Sequence, residues 1–87
     1  MPRGLHGPRY AHFRDLMIQQ RKAASLTQVE LARRLRKPQS FIAKYETGER
    51  RLDVVEFLEI VIKIGGDPLE IIAALLSSRK PGSSASG

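Results

Sequence analysis

Thr27-Gln28-Val29-Glu30-Leu31-Ala32-Arg33-Arg34-Leu35-Arg36-Lys37-Pro38-Gln39-Ser40-Phe41-Ile42-Ala43-Lys44-Tyr45-Glu46 is the stretch on which the reading of this chain turns. It reads as two short helices with a tight break between them. Thr27 is a good helix N-cap, and Glu30 follows at the capping-box spacing, so the first helix starts at Gln28. Leu26 before the cap and Leu31 inside the helix can close a hydrophobic staple. Leu31, Ala32 and Leu35 supply the inner face. Pro38 cannot continue this helix and disfavours helix at Lys37, but proline is welcome at a helix start. The second helix therefore begins at Pro38 or Gln39 and runs to about Glu46, with Ile42 and Tyr45 inward and Phe41 partly buried. A small residue at Ala32 lets the two helices cross closely. Two short helices joined in this way describe a helix-turn-helix.

Outward from this unit, the chain fits one all-α domain of five short helices. Tyr10 to Ala24 has helical spacing, with Phe13, Leu16, Met17 and Gln20 on one side. Asp53 can cap a fourth helix over residues 54–64, with Val54, Leu58, Val61 and Phe57 expected inward. Gly65-Gly66 ends it. Asp67-Pro68 opens a fifth, whose expected inner stripe is Leu69, Ile72, Ala73 and Leu76, widened by Ile71 and Leu75. Residues 1–9, with two Pro and two Gly, are expected to form a flexible N-terminal arm, residues 10–76 the domain, and residues 77–87 a low-complexity disordered tail.

Composition narrows the function classes. There are 15 Lys and Arg against 9 Asp and Glu, a net charge of +6, so the expected partner is anionic. Cys is absent, which removes disulfides, thiolate metal sites and cysteine catalysis. His6 and His12 share no metal-ligand spacing with a paired carboxylate. No apolar run approaches a membrane span, and the N-terminal residues lack the apolar core of a signal peptide, so a cytoplasmic protein without a membrane partner is expected. Asp53, Glu56 and Glu59 read as a solvated helix side. Neither an enzyme nor a bound cofactor is indicated.

The fixed spacing of several independent positions resembles the Cro/repressor-type helix-turn-helix family, also called the XRE family. The matching residues are Leu26-Thr27-Gln28, Leu31-Ala32, Gln39-Ser40-Phe41-Ile42 and Lys44-Tyr45-Glu46-Thr47-Gly48-Glu49-Arg50-Arg51. The resemblance spans about Phe13 to Ile72 and implies a repressor-like domain that binds double-stranded DNA as a transcriptional regulator, with residues 39–46 in the major groove. It implies that Gln28 holds a phosphate and braces Gln39, and that Gln39 makes the bidentate amide contact to adenine N6 and N7. Ser40 and Lys44 are then expected on a base edge or phosphate, and Arg50 and Arg51 on the backbone, with Thr27 and Arg33 and Arg34 nearby. Phe41 has two open roles, touching a thymine methyl or packing under the turn. Arg21 and Glu46 match positions that form a structural salt bridge in the family. Two positions depart from its pattern. Arg36 and Ser25 stand where Gly is common; either Arg36 adopts a costly backbone conformation or the turn is slightly altered, and Arg36 is in addition a candidate phosphate contact.

The apolar excess of the last two helices points to a homodimer, with Ile60, Ile64, Leu69, Ile72, Leu75 and Leu76 as the expected interface. A second class of function stays open: the same fold serves as a protein-interaction module of the antitoxin kind, in which the last helix and tail would bind a protein partner.

Overall fold

The computed structural model describes residues 7–77. It contains five α-helices: α1 (Pro8–Ala23), α2 (Gln28–Leu35), α3 (Gln39–Thr47), α4 (Val54–Ile64) and α5 (Pro68–Ser77). There is no strand among the described residues. The expected all-α architecture is the one observed, with two boundary differences. Helix α1 starts at Pro8 with Gly7 as its N-cap, because proline's fixed φ suits the first helical position. Helix α5 includes Ser77, whose hydroxyl donates to the Ala74 carbonyl. The remainder of the expected arm and tail, residues 1–6 and 78–87, lies outside the described residues.

The core is aliphatic with an aromatic edge. Met17 of α1, Leu31 and Ala32 of α2, Ile42 and Tyr45 of α3, Phe57, Ile60, Val61 and Ile64 of α4, and Ile71 of α5 are all buried. Phe13 links two parts of this edge, packing edge-on to Phe57 at 5.6 Å and tilted against Tyr10 at 5.4 Å. Helix α1 crosses α3, α4 and α5, so it holds the helix-turn-helix and the C-terminal pair together.

The inward faces of α4 and α5 differ from the expectation. On α4 the buried set is Phe57, Ile60, Val61 and Ile64, while Val54, Leu58 and Ile62 are exposed. On α5 Ile71 is buried and Leu75 packs beside it, whereas Leu69, Ile72 and Leu76 face outward. Each helix carries two apolar stripes. Packing can bury only one within the monomer, and helical period alone does not say which. The correction reaches the expected interface too. Ile60 and Ile64 are interior residues, at 1 % and 8 % exposure, so they are unavailable to a second chain without unpacking the core.

Three helices end in the same backbone device. At the end of α2, Arg36 is left-handed (φ 58°, ψ 44°), its N–H reaches the Arg33 carbonyl, and the Lys37 N–H reaches the Ala32 carbonyl. This is a Schellman motif, and it makes the turn of the helix-turn-helix. Ser25 repeats it after α1 with φ 60°, and Gly65 after α4 with φ 93°. Glycine at 65 meets the backbone demand alone, since a Cβ there would touch nothing. Gly66 has a different reason to be small: a Cβ would collide with the Gln20 side chain of α1.

Left-handed backbone costs a residue with a Cβ about 1–2 kcal/mol, of which glycine's extra chain entropy returns about 0.5–1. Arg36→Gly should therefore raise the unfolding free energy by about 0.5–1 kcal/mol in urea denaturation. Arg36→Val should lower it. Loss of stability in the glycine variant would show that the Arg36 side chain stabilises the turn by more than its backbone costs.

Candidate nucleic-acid interface

Of the residues expected to read DNA, Gln28 and Gln39 are brought together at the N-terminal ends of α2 and α3. Thr27 caps α2 as anticipated: its hydroxyl accepts from the Glu30 N–H at 3.0 Å, and the Glu30 carboxylate accepts from the Thr27 N–H at 2.8 Å. The Thr27 N–H first, and the Thr27 hydroxyl second, hold the Glu30 carboxyl below its usual range. The cap fixes where Gln28 leaves the helix.

From Gln28 a continuous run of side-chain bonds leads back into the protein. Gln39 Nε2 donates to Gln28 Oε1 at 3.0 Å, and Gln28 Nε2 donates to Glu46 Oε1 at 2.9 Å. Glu46 is a buried carboxylate, 6 % exposed. Arg21 grips it with two nearly parallel bonds, Nε to Oε2 at 2.7 Å and Nη2 to Oε1 at 3.0 Å. The third nitrogen of Arg21 donates to the Leu26 carbonyl at 2.8 Å, just before the α2 cap. Arg14 adds a bond to the Glu46 carbonyl at 2.9 Å. A charge in this setting is tolerated because both carboxylate oxygens are paired and hydrogen-bonded. The expected salt bridge is thus present, and it is joined to the exposed end of Gln39 through one intermediate residue.

The geometry leaves Gln39 chemically useful. One amide N–H is spent on Gln28. The other N–H and the carbonyl oxygen remain, which is the donor–acceptor pair an adenine edge requires. Gln39, Ser40 and Lys44 are exposed on α3. Phe41 is half-buried, packs against the core and stacks edge-on to Tyr45 at 5.6 Å. Two cations lie over that ring, Lys37 Nζ at 5.2 Å from the centroid and Arg50 Cζ at 4.9 Å.

Not every expected cation is equally free. Arg50 forms a fork-on-fork pair with Glu56, at 3.0 and 2.7 Å. Arg51 lies over the Tyr10 ring, 4.6 Å from its centroid. Arg34 donates to the Lys63 carbonyl at 3.0 Å, satisfying the C-terminal end of α4, while Arg33 is exposed. Arg36 is exposed on the turn.

Sequence reasoning missed four participants. Glu56 looked like part of a solvated face, yet it completes a second capping box with Asp53 and pairs Arg50. The spacing Asp53 to Glu56 repeats that of Thr27 to Glu30 and was a usable signal. Tyr10 anchors the basic loop by accepting the Leu52 N–H at 3.1 Å. Arg14 matters through a tertiary contact, to the Glu46 carbonyl, that no local pattern encodes, and Lys37 through its place over Phe41, four residues on.

Arg21 and Glu46 generate a stability prediction. Arg21→Ala leaves the Glu46 carboxylate buried with its main partner gone, and should lower the unfolding free energy by about 3–5 kcal/mol. A loss below about 1 kcal/mol in denaturant titration, the value of a surface pair, would contradict the burial argument.

Residues 17–71 match the sequence profile of the helix-turn-helix family, and this span covers α2, α3 and α4 entirely. Comparison with curated proteins gives no significant match. Among solved structures, the chain is similar to an XRE-family like protein from Pseudomonas syringae pv. tomato str. DC3000. The two share 45% sequence identity over 86% of this chain and 92% of that one, with a TM-score of 0.79. With the family profile over more than half of the chain and a relative of this likeness, the chain belongs to the XRE (Cro/repressor-type) helix-turn-helix family of DNA-binding regulators.

Proposed function

We propose that this protein is a sequence-specific, dimeric transcriptional repressor that acts by occupying an operator. The observation that carries the proposal is the bonded run from Arg21 through Glu46 and Gln28 to Gln39. A glutamine used only as a solvated surface residue has no reason to be held by a partner that is itself held by a buried ion pair. Fixing the Gln39 amide before binding reduces the entropy lost on contact with adenine. Ser40 and Lys44 extend the reading edge along α3. Gln28, Thr27, Arg33, Arg36, Lys44, Arg50 and Arg51 supply backbone contacts that position α3 without specifying sequence.

The outward stripes support the dimer. Leu69 is 71 % exposed and Leu76 57 %, and Ile72 lies on the same side of α5. Val55, Leu58 and Ile62 form a second exposed stripe on α4. A second copy covering them through a two-fold axis would place two α3 helices for two half-sites about one DNA turn, roughly 34 Å, apart. The proposed interface therefore keeps Leu69, Ile72 and Leu76 at its centre, with Leu75 at the edge.

Selection of bound duplexes from a random pool should yield a palindromic motif containing adenine opposite Gln39. On that motif Gln39→Ala should weaken binding by about 1–3 kcal/mol, with little change on random DNA. Equal losses on both, or none on either, would remove specific readout from the account. Sedimentation of the full chain should give a dimer, and Leu69→Glu with Leu76→Glu should give a folded monomer. A monomeric wild type, or a dimer unaffected by both substitutions, would refute the interface.

A further inference from the structure

The Arg50–Glu56 pair occupies a place where the sequence suggests a phosphate contact. A carboxylate paired to such an arginine can either compete with DNA or prepare the arginine for it. The atoms distinguish the two. Glu56 takes the end of the guanidinium, with Oε1 accepting from Nη1 and Oε2 from Nη2. The second N–H of Nη1 donates to the Arg51 carbonyl at 3.1 Å. What remains among the described residues is the Nε–H and one N–H of Nη2, which lie along one side of the planar group. That side is a two-pronged donor matching two oxygens of a phosphate. The guanidinium carbon also lies over the Phe41 ring, 4.9 Å from its centroid. The end and one corner of the group are therefore hydrogen-bonded, and the edge suited to phosphate has no hydrogen-bond partner among the described residues, on a side chain that is 42 % exposed.

Glu56 is itself fixed. Its Oε1 also accepts from the Asp53 N–H at 3.0 Å, and its backbone N–H donates to Asp53 Oδ1 at 2.7 Å. The bonds from Arg50 and Asp53 hold its carboxyl at about 2, so it stays ionised at neutral pH. The start of α4 thereby sets the position of the carboxylate, and the carboxylate sets the guanidinium. Lys37 lies over the same Phe41 ring, 5.2 Å from its centroid.

We infer that Glu56 and Phe41 are positioning residues that aim the Nε–Nη2 edge of Arg50 at a DNA backbone phosphate flanking α3. The inference rests on the DNA-binding reading above and adds to it a role for an acidic residue. It carries a sign that simple charge does not. Removing a negative charge from a DNA-binding face should by itself strengthen binding, whereas loss of the positioning carboxylate should weaken it.

The test uses the full chain and a mixed-sequence DNA duplex of roughly 20 base pairs, about two helical turns, read by fluorescence anisotropy well below the melting transition of each variant. Glu56→Gln keeps an oxygen for the Asp53 N–H, so the cap and the fold persist. It should bind about three- to tenfold more weakly than wild type, the cost of ordering one long side chain on binding. Arg50→Ala should also weaken binding and reduce the salt slope by about 1. In the Arg50→Ala background, Glu56→Gln should then have no further effect, because its role runs through Arg50. Unchanged or tighter binding by Glu56→Gln, or a loss that adds fully to that of Arg50→Ala, overturns the inference. A wild type that binds no duplex at all sinks the DNA-binding reading instead.

Discussion

One buried carboxylate organises this protein. Glu46 sits at the end of α3 inside the fold, where an unpaired negative charge would be strongly unfavourable. It is acceptable only because Arg21 and Gln28 reach it from α1 and α2. With Glu46 itself on α3, the three residues come from three different helices, so satisfying one charge fixes the mutual arrangement of those helices. The crossing of α2 and α3 then follows from shape, with Ala32 small at the contact and Leu31 and Ile42 filling the space around it. Replacing the pair by apolar residues could give a domain of equal stability. It would not carry the orientation of Gln28 outward to Gln39. The polar cluster is better understood as the device that transmits core geometry to the surface.

The second constraint is how tightly the chain must reverse. Three helices end in left-handed Schellman turns, and two of these are made without glycine, at Ser25 and Arg36. The hydrogen bonds of the motif offset the backbone cost. At Arg36 the arrangement keeps the break between α2 and α3 short enough that Gln39 can reach Gln28. A positive charge also remains exposed on the turn.

Much of this was legible in the sequence, and the limits have physical causes. Thr27 and Glu30 declared the start of α2, Pro38 the break, and Gly65 with Asp67-Pro68 the joint between α4 and α5. Each is a local signal tied to one backbone conformation. The Arg21–Glu46 pair and the Gln28–Gln39 contact came from resemblance, since nothing local links residues 21 and 46. The inward faces of α4 and α5 were misassigned because Val54, Leu58, Leu69 and Ile72 are as apolar as the residues that are buried. Composition cannot rank two equally apolar stripes; contact with α1 does. Glu56 was missed for the opposite reason. It looks like any exposed acid until Arg50 and the α4 cap are seen to meet on its two oxygens.

The bond to Gln28 holds the Gln39 amide in place in the free protein. Nuclear magnetic relaxation of the Gln39 side-chain amide, in wild type and in Gln28→Ala, tests this most directly. Picosecond–nanosecond motion should be restricted in the wild type, with an order parameter that approaches the rigid-backbone value of about 0.85 and falls below about 0.6 when Gln28 is removed. A Gln39 amide as mobile in the wild type as in the variant would contradict it.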